Sequence, residues 1–87
     1  MKVVYTQTAA RQIESQIAYL VSQHASNFLI HHPRAGKHIP EKGIYEFWIP
    51  RIRYVLIYRI EPEDVLRILA LYHTSQDRSG FDPDSAE

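Results

Sequence analysis

The chain has 87 residues, 45% of them hydrophobic, with ten Lys/Arg balanced by ten Asp/Glu and no cysteine. A chain of this length makes one domain and buries only about 60–65% of its unfolded surface, which excludes a large multidomain enzyme. The missing cysteines exclude a disulfide framework and suit a reducing cytoplasm, the expected location.

The start, MKVVYTQT, has one lysine and no long apolar run, so neither a signal peptide nor a membrane span is expected. The charges are unevenly placed. Residues 1–73 hold nine Lys/Arg against six Asp/Glu, about +3, and residues 74–87 hold one against four, about −3. Arg34, Lys37, Lys42, Arg51 and Arg53 form a mild basic region, too weak for nucleic-acid binding by charge alone.

Lys2–Thr6 (KVVYT) reads as a short strand. Thr8 is placed to cap a helix opening at Ala9 and reaching about Ser22, since Ala10, Ile13, Ile17, Leu20 and Val21 recur at helical period. Ser26–His31 reads as a short second helix or an extension of the first, ended by Pro33. Arg34–Lys42, with Gly36 and Pro40, reads as a loop.

Three strands follow: Tyr45–Ile49, Tyr54–Ile60 and Val65–His73. Pro50 breaks the first and Arg51-Ile52 turns the chain into the second, and Glu61-Pro62-Glu63-Asp64 makes the next turn, with proline where a fixed φ is wanted. Parity sets an expected register. Pairing Ile49 with Tyr54 and Ile60 with Val65 gives one face Tyr45, Phe47, Ile49, Tyr54, Leu56, Tyr58, Leu69 and Leu71. The other face receives Glu46, Trp48, Val55, Ile57, Arg59, Leu66, Ile68 and Ala70.

These elements predict an α+β fold, a small antiparallel sheet in the order β-α-(α)-β-β-β with a helical layer on one face. Both sheet faces are apolar and the helical layer is thin. The face of Trp48, Val55, Ile57, Ile68 and Ala70 is therefore expected to stay open and to meet a protein partner, with the sheet edge available for an added strand.

The strand, the helix TQTAARQIESQIAYL, the Leu29-x-x-x-Pro33-x-x-Gly36 stretch, YEFWIP, YVLIYRI, VLRILALYH and Gln76-Asp77-Arg78 together resemble the RelE/ParE superfamily of toxin–antitoxin toxins. The resemblance covers residues 1–78 as one toxin domain and leaves 79–87 as a flexible acidic tail. It implies a plasmid-stabilisation type of toxin neutralised by a cognate, ParD-like antitoxin, with no cofactor. Two branches share the fold, so fold alone does not choose between them. The RelE-like branch consists of ribosome-dependent mRNA endonucleases, and the ParE-like branch is associated with DNA gyrase. The RelE-like pattern has arginine after the aromatic of the middle strand, where this chain has Val55, and basic residues where it has Phe47-Trp48-Ile49. Valine and tryptophan supply neither the general base nor the cation that RNA cleavage needs. The resemblance is therefore to the ParE-like branch, acting by binding; a RelE-like nuclease and a decayed, inactive toxin are the alternatives. Family members have two long helices before the Pro-x-x-Gly stretch, so the second is expected to be shortened or missing here, which would favour self-association.

The expected partner-binding residues are Trp48, Arg51, Arg53, Val55, Ile57, Arg59 and Arg78. If the chain were RelE-like, Glu46, Arg59 and His73 would form the acid/base set. The plain alternative makes His73 and Tyr72 the end of a strand, and Glu46 and Arg59 a solvent-side pair. Five histidines (His24, His31, His32, His38 and His73) match no zinc spacing, and no metal is expected.

Overall fold

The computed structural model describes residues 1–49 and 52–75. Its elements are β1 (Lys2–Tyr5), α1 (Gln7–Gln12), α2 (Gln16–His31), β2 (Lys37–Ile39), β3 (Ile44–Ile49), β4 (Tyr54–Glu61) and β5 (Val65–His73). The five strands form one sheet in the order β1-β5-β4-β3-β2. The α+β expectation holds, with a mixed rather than purely antiparallel sheet: β1 lies parallel to β5, Val3 beside Leu66 and Tyr5 beside Ile68. The segment Lys37–Ile39, expected as loop, is a short edge strand against Ile44–Glu46. The tail 79–87, Pro50, Arg51 and Gln76–Arg78 lie outside the described residues.

The expected single helix is broken in two. Thr6, not Thr8, caps α1, its side chain accepting from the Ala9 amide at 3.1 Å. Ser15 caps α2, accepting from the Ala18 amide at 3.1 Å. Each cap satisfies an N–H that the helix itself leaves unpaired. The helix that is short is the first, at six residues, and α2 runs unbroken for sixteen. This corrects the expectation of a missing second helix. The large apolar side chains also mislead about which flank is inside. Ile17 and Leu20 face solvent, while Ala18, Val21, Ser22, Ala25, Ser26 and Leu29 are buried. Small residues let the helix settle onto a sheet face already filled by tyrosines.

The register of β3 on β4 is the expected one, Ile49 opposite Tyr54 and Phe47 opposite Leu56. The register of β5 is not. The turn spans Pro62, Glu63 and Asp64, with Glu63 and Asp64 at φ of 67° and 63°, so Glu61 pairs with Val65 and Ile60 with Leu66. A bulge then slips the ladder once more between Ile57 and Tyr58, leaving Leu69 without a partner across the strand. Leu66 and Ile68 therefore join the helix-side core, and Leu69 joins the opposite face. Both assignments reverse the expected ones.

On that opposite face Ile44, Ile57, Leu69 and Ala70 form a second apolar cluster, with Ile39 and Tyr72 packed against it. Val55 and Ile57 are only 0% and 1% exposed, so the face expected to be open is closed within the chain at these residues. The unforeseen strand supplies Ile39, and the bulge brings Leu69 and Ala70 to one side. Trp48 alone of that expected set stands out, 49% exposed.

The bulge and α1 are joined. The buried Thr6 hydroxyl donates to the Leu69 carbonyl at 3.0 Å, the Thr6 amide donates to the Ile68 carbonyl at 3.0 Å, and the Leu71 amide donates to the Gln12 side chain at 2.9 Å. α1 thus covers the β5 edge beyond the end of β1, satisfying groups that the ladder leaves over. Thr6→Val keeps the side-chain shape but strands the Leu69 carbonyl and removes the cap. It is expected to cost about 1–3 kcal/mol of stability, measured by urea unfolding; a loss too small to resolve would show that the bulge does not need α1.

Candidate functional site

The Pro33-x-x-Gly36 stretch is held by one phenol. Tyr58, on β4 and fully buried, donates its hydroxyl to the Pro33 carbonyl at 2.7 Å and accepts from the Gly36 amide at 3.1 Å. Burial pushes its hydroxyl above the ordinary tyrosine range; the Gly36 amide lowers it and the neighbouring Tyr45 raises it further. A side chain at Gly36 would place Cβ 2.8 Å from the Tyr58 oxygen and 3.0 Å from the Glu46 carbonyl, so glycine is required by space. Tyr58 stacks on Tyr45 at 5.2 Å, and Tyr45 on His38 at 4.6 Å. Arg34 donates to the Tyr45 hydroxyl at 3.0 Å. Two phenols, Tyr58 and Tyr45, therefore fix the link between α2 and the sheet. The motif legible in the sequence is architectural here.

Beside it lies an open cavity of about 420 Å³, lined by Phe28, His32, Pro33, Arg34 and Ala35. Phe28 stacks on Phe47 at 5.5 Å and meets the His32 ring at a tilt of 35° and 4.8 Å, so its ring forms one wall. Sequence patterning missed this cavity, because in the apolar run Phe28-Leu29-Ile30 nothing distinguishes the exposed Phe28 from the buried Leu29.

The residues expected to meet a partner are scattered. Trp48 is exposed on β3, opposite Val55. Arg53 lies at the β3–β4 turn with a left-handed φ of 58°, its carbonyl accepting from the Thr74 amide at 2.8 Å. Ile52 beside it is exposed as well. These three form one exposed end of the molecule. Val55 and Ile57 are buried and present no surface, a correction to their expected role as contacts. Arg51 and Arg78 lie outside the described residues.

Arg59 is engaged within its own sheet. It does not pair with Glu46, which sits opposite Ile57. Instead Arg59 donates to Glu61 at 2.8 Å, and Arg67, directly opposite Arg59, donates to the other Glu61 oxygen at 2.9 Å. One carboxylate holds two facing guanidinium groups that would otherwise repel. Burial pushes the Glu61 carboxyl up, but the hydrogen bonds and charges of Arg67 and Arg59 outweigh it, and the group ends below its ordinary range.

His73 falls on the other side of the sheet. It pairs with Tyr54 on the helix-side face, edge-to-face at 5.4 Å, and its Nδ1 lies 2.8 Å from the Ser75 hydroxyl. Glu46 and Arg59 face away from it. The three residues of the nuclease alternative are therefore not brought together. Among the described residues no group of three His, Cys, Asp or Glu side chains could hold a metal ion, and no helix is long and apolar enough to cross a membrane.

The model of the ParE toxin family, toxins of the type II ParDE toxin–antitoxin system, matches residues 3–78, nearly all of the strands and helices just described. The chain belongs to this family of type II toxin–antitoxin toxins. No curated relative matches the chain.

Two outcomes follow from the site chemistry. Tyr58→Phe leaves the Pro33 carbonyl and Gly36 amide without their partner, and should cost about 1–3 kcal/mol in a denaturant titration while the fold is kept. The Glu61 carboxyl is lowered on folding, so its contribution is complete above the unfolded value of about 4.5 and is lost as pH falls through the folded one. Wild type should lose stability between roughly pH 5 and pH 3. Glu61→Gln should be weaker at pH 7 and flatter across that window, a comparison thermal melts at each pH make directly.

Proposed function

We propose that this toxin acts by binding a protein rather than by cutting RNA, and that a ParD-like antitoxin neutralises it, with DNA gyrase as the target that the family association suggests. The observation that carries this reading is the separation of His73 from Glu46 and Arg59 across the sheet, with a buried valine, Val55, where the nuclease branch has arginine. Phosphodiester cleavage needs a base, an acid and a cation around one phosphate, within hydrogen-bond reach. Here the cation is tied to Glu61 and the imidazole points the other way. Among the described residues, Trp48, Ile52 and Arg53 are exposed at the β3–β4 end, and tryptophan and arginine are residue types that anchor protein interfaces.

Supercoiling by purified gyrase, run beside translation-dependent mRNA cleavage, tests the reading. Inhibition of gyrase is expected, with Trp48→Ala and Arg53→Ala each weakening it about tenfold or more while leaving the melting temperature near wild type. Cleavage of mRNA that is abolished by His73→Ala would assign the chain to the nuclease branch instead. The six-residue α1 is the feature that favours an inactive remnant, and unimpaired growth on induction of the chain alone would establish that alternative.

A further inference from the structure

α2 contains no Asp, Glu, Lys or Arg in its sixteen residues. Its small-residue flank is buried on the sheet. On the neighbouring flank Ile17, Leu20, His24 and Phe28 recur at three and four, which places them in one stripe. Ile17, Leu20 and Phe28 are 69%, 58% and 44% exposed. The two halves of the stripe are unlike. The N-terminal half offers protruding aliphatic side chains, and the C-terminal half leads into the cavity walled by Phe28, His32, Pro33, Arg34 and Ala35.

A surface with a protrusion at one end and a hollow at the other fits its own copy when the second is turned end for end. A helix of sixteen residues spans about 24 Å, and His24 stands near its middle. Two α2 helices packed antiparallel about an axis at His24 bring Leu20 of each copy to Phe28 of the other, and Ile17 towards the cavity. Both contacts form twice, as a closed two-fold interface requires. A charge at the axis would lie beside its own like charge in the other copy, and α2 carries no Asp, Glu, Lys or Arg there or elsewhere along its length. We propose that this flank of α2 is a homodimer interface, antiparallel about His24, with the aliphatic end of each copy seated in the hollow of the other.

The proposal is independent of the toxin's target, because it is read on the purified full chain alone. Sedimentation from roughly 10 µM to 1 mM should show the mass rising from 10.2 kDa towards twice that value. Leu20→Glu should weaken association about tenfold or more. Tyr19→Glu, equally exposed at 50% but on the other flank, should leave it unchanged. Since the chain has no cysteine, single cysteines report the geometry without background. His24→Cys should oxidise to a covalent dimer and Ile17→Cys should not, because only the axis residue meets itself. A chain monomeric throughout that range overturns the proposal and leaves the flank to a partner of different sequence. Cross-linking of Ile17→Cys as readily as His24→Cys overturns it too, and so does a Leu20→Glu chain that associates like wild type, provided circular dichroism shows each variant folded.

Discussion

Leu69 is the residue on which the architecture turns. It is the extra residue of β5, and by having no partner across the ladder it changes which side every later side chain faces. Before it, Leu66 and Ile68 point to the helices; after it, Leu71 does, while Leu69 and Ala70 both point to the other face. One inserted residue thus gives a single strand to two cores. The helix-side core keeps an unbroken line of Leu66, Ile68 and Leu71 beneath α2, and the opposite cluster gains two adjacent apolar side chains. The carbonyl that the insertion frees is taken by the Thr6 hydroxyl, and the same threonine begins α1. A helix of only six residues has little stability of its own. Here it is held at both ends, by Thr6 and by Gln12 on β5.

Much of this was visible in the sequence. The β3–β4 register followed from parity around the turn at residues 50–53, since a single-residue slip would have mixed apolar and polar sets. The proline and glycine of the link after α2 were recognisable, although not their partner, because Tyr58 lies 22 positions from Gly36. Three features were not legible, each for a physical reason. The bulge has no composition of its own: Ile68, Leu69, Ala70 and Leu71 suit either face. β2 is three residues long and carries two exposed positions, so no alternation distinguishes it from a loop. The buried side of α2 holds Val21 and Leu29 but is otherwise alanine and serine, whose small transfer energies leave the outward Ile17 and Leu20 to dominate any periodicity.

The same three features account for the fate of the expected site. Taken together, Trp48, Val55, Ile57, Ile68 and Ala70 predict an open apolar face. The bulge removes Ile68 to the helix side, β2 brings Ile39 against the remainder, and the exposed apolar surface appears instead on α2. The exposed large apolar side chains therefore lie on a helix flank and at the end bearing Trp48 and Ile52.

The parallel pairing of β1 with β5 has a consequence for how the molecule is made. Residues 2–5 find their neighbours at 65–68, so the earliest strand waits for almost the whole chain. Closing so long a loop is entropically costly and slow relative to local pairing. During synthesis the helices emerge before the sheet that would shelter them. Nascent polypeptide therefore carries no finished sheet until β5 has left the ribosome, since β5 is the strand that joins β1 to the rest.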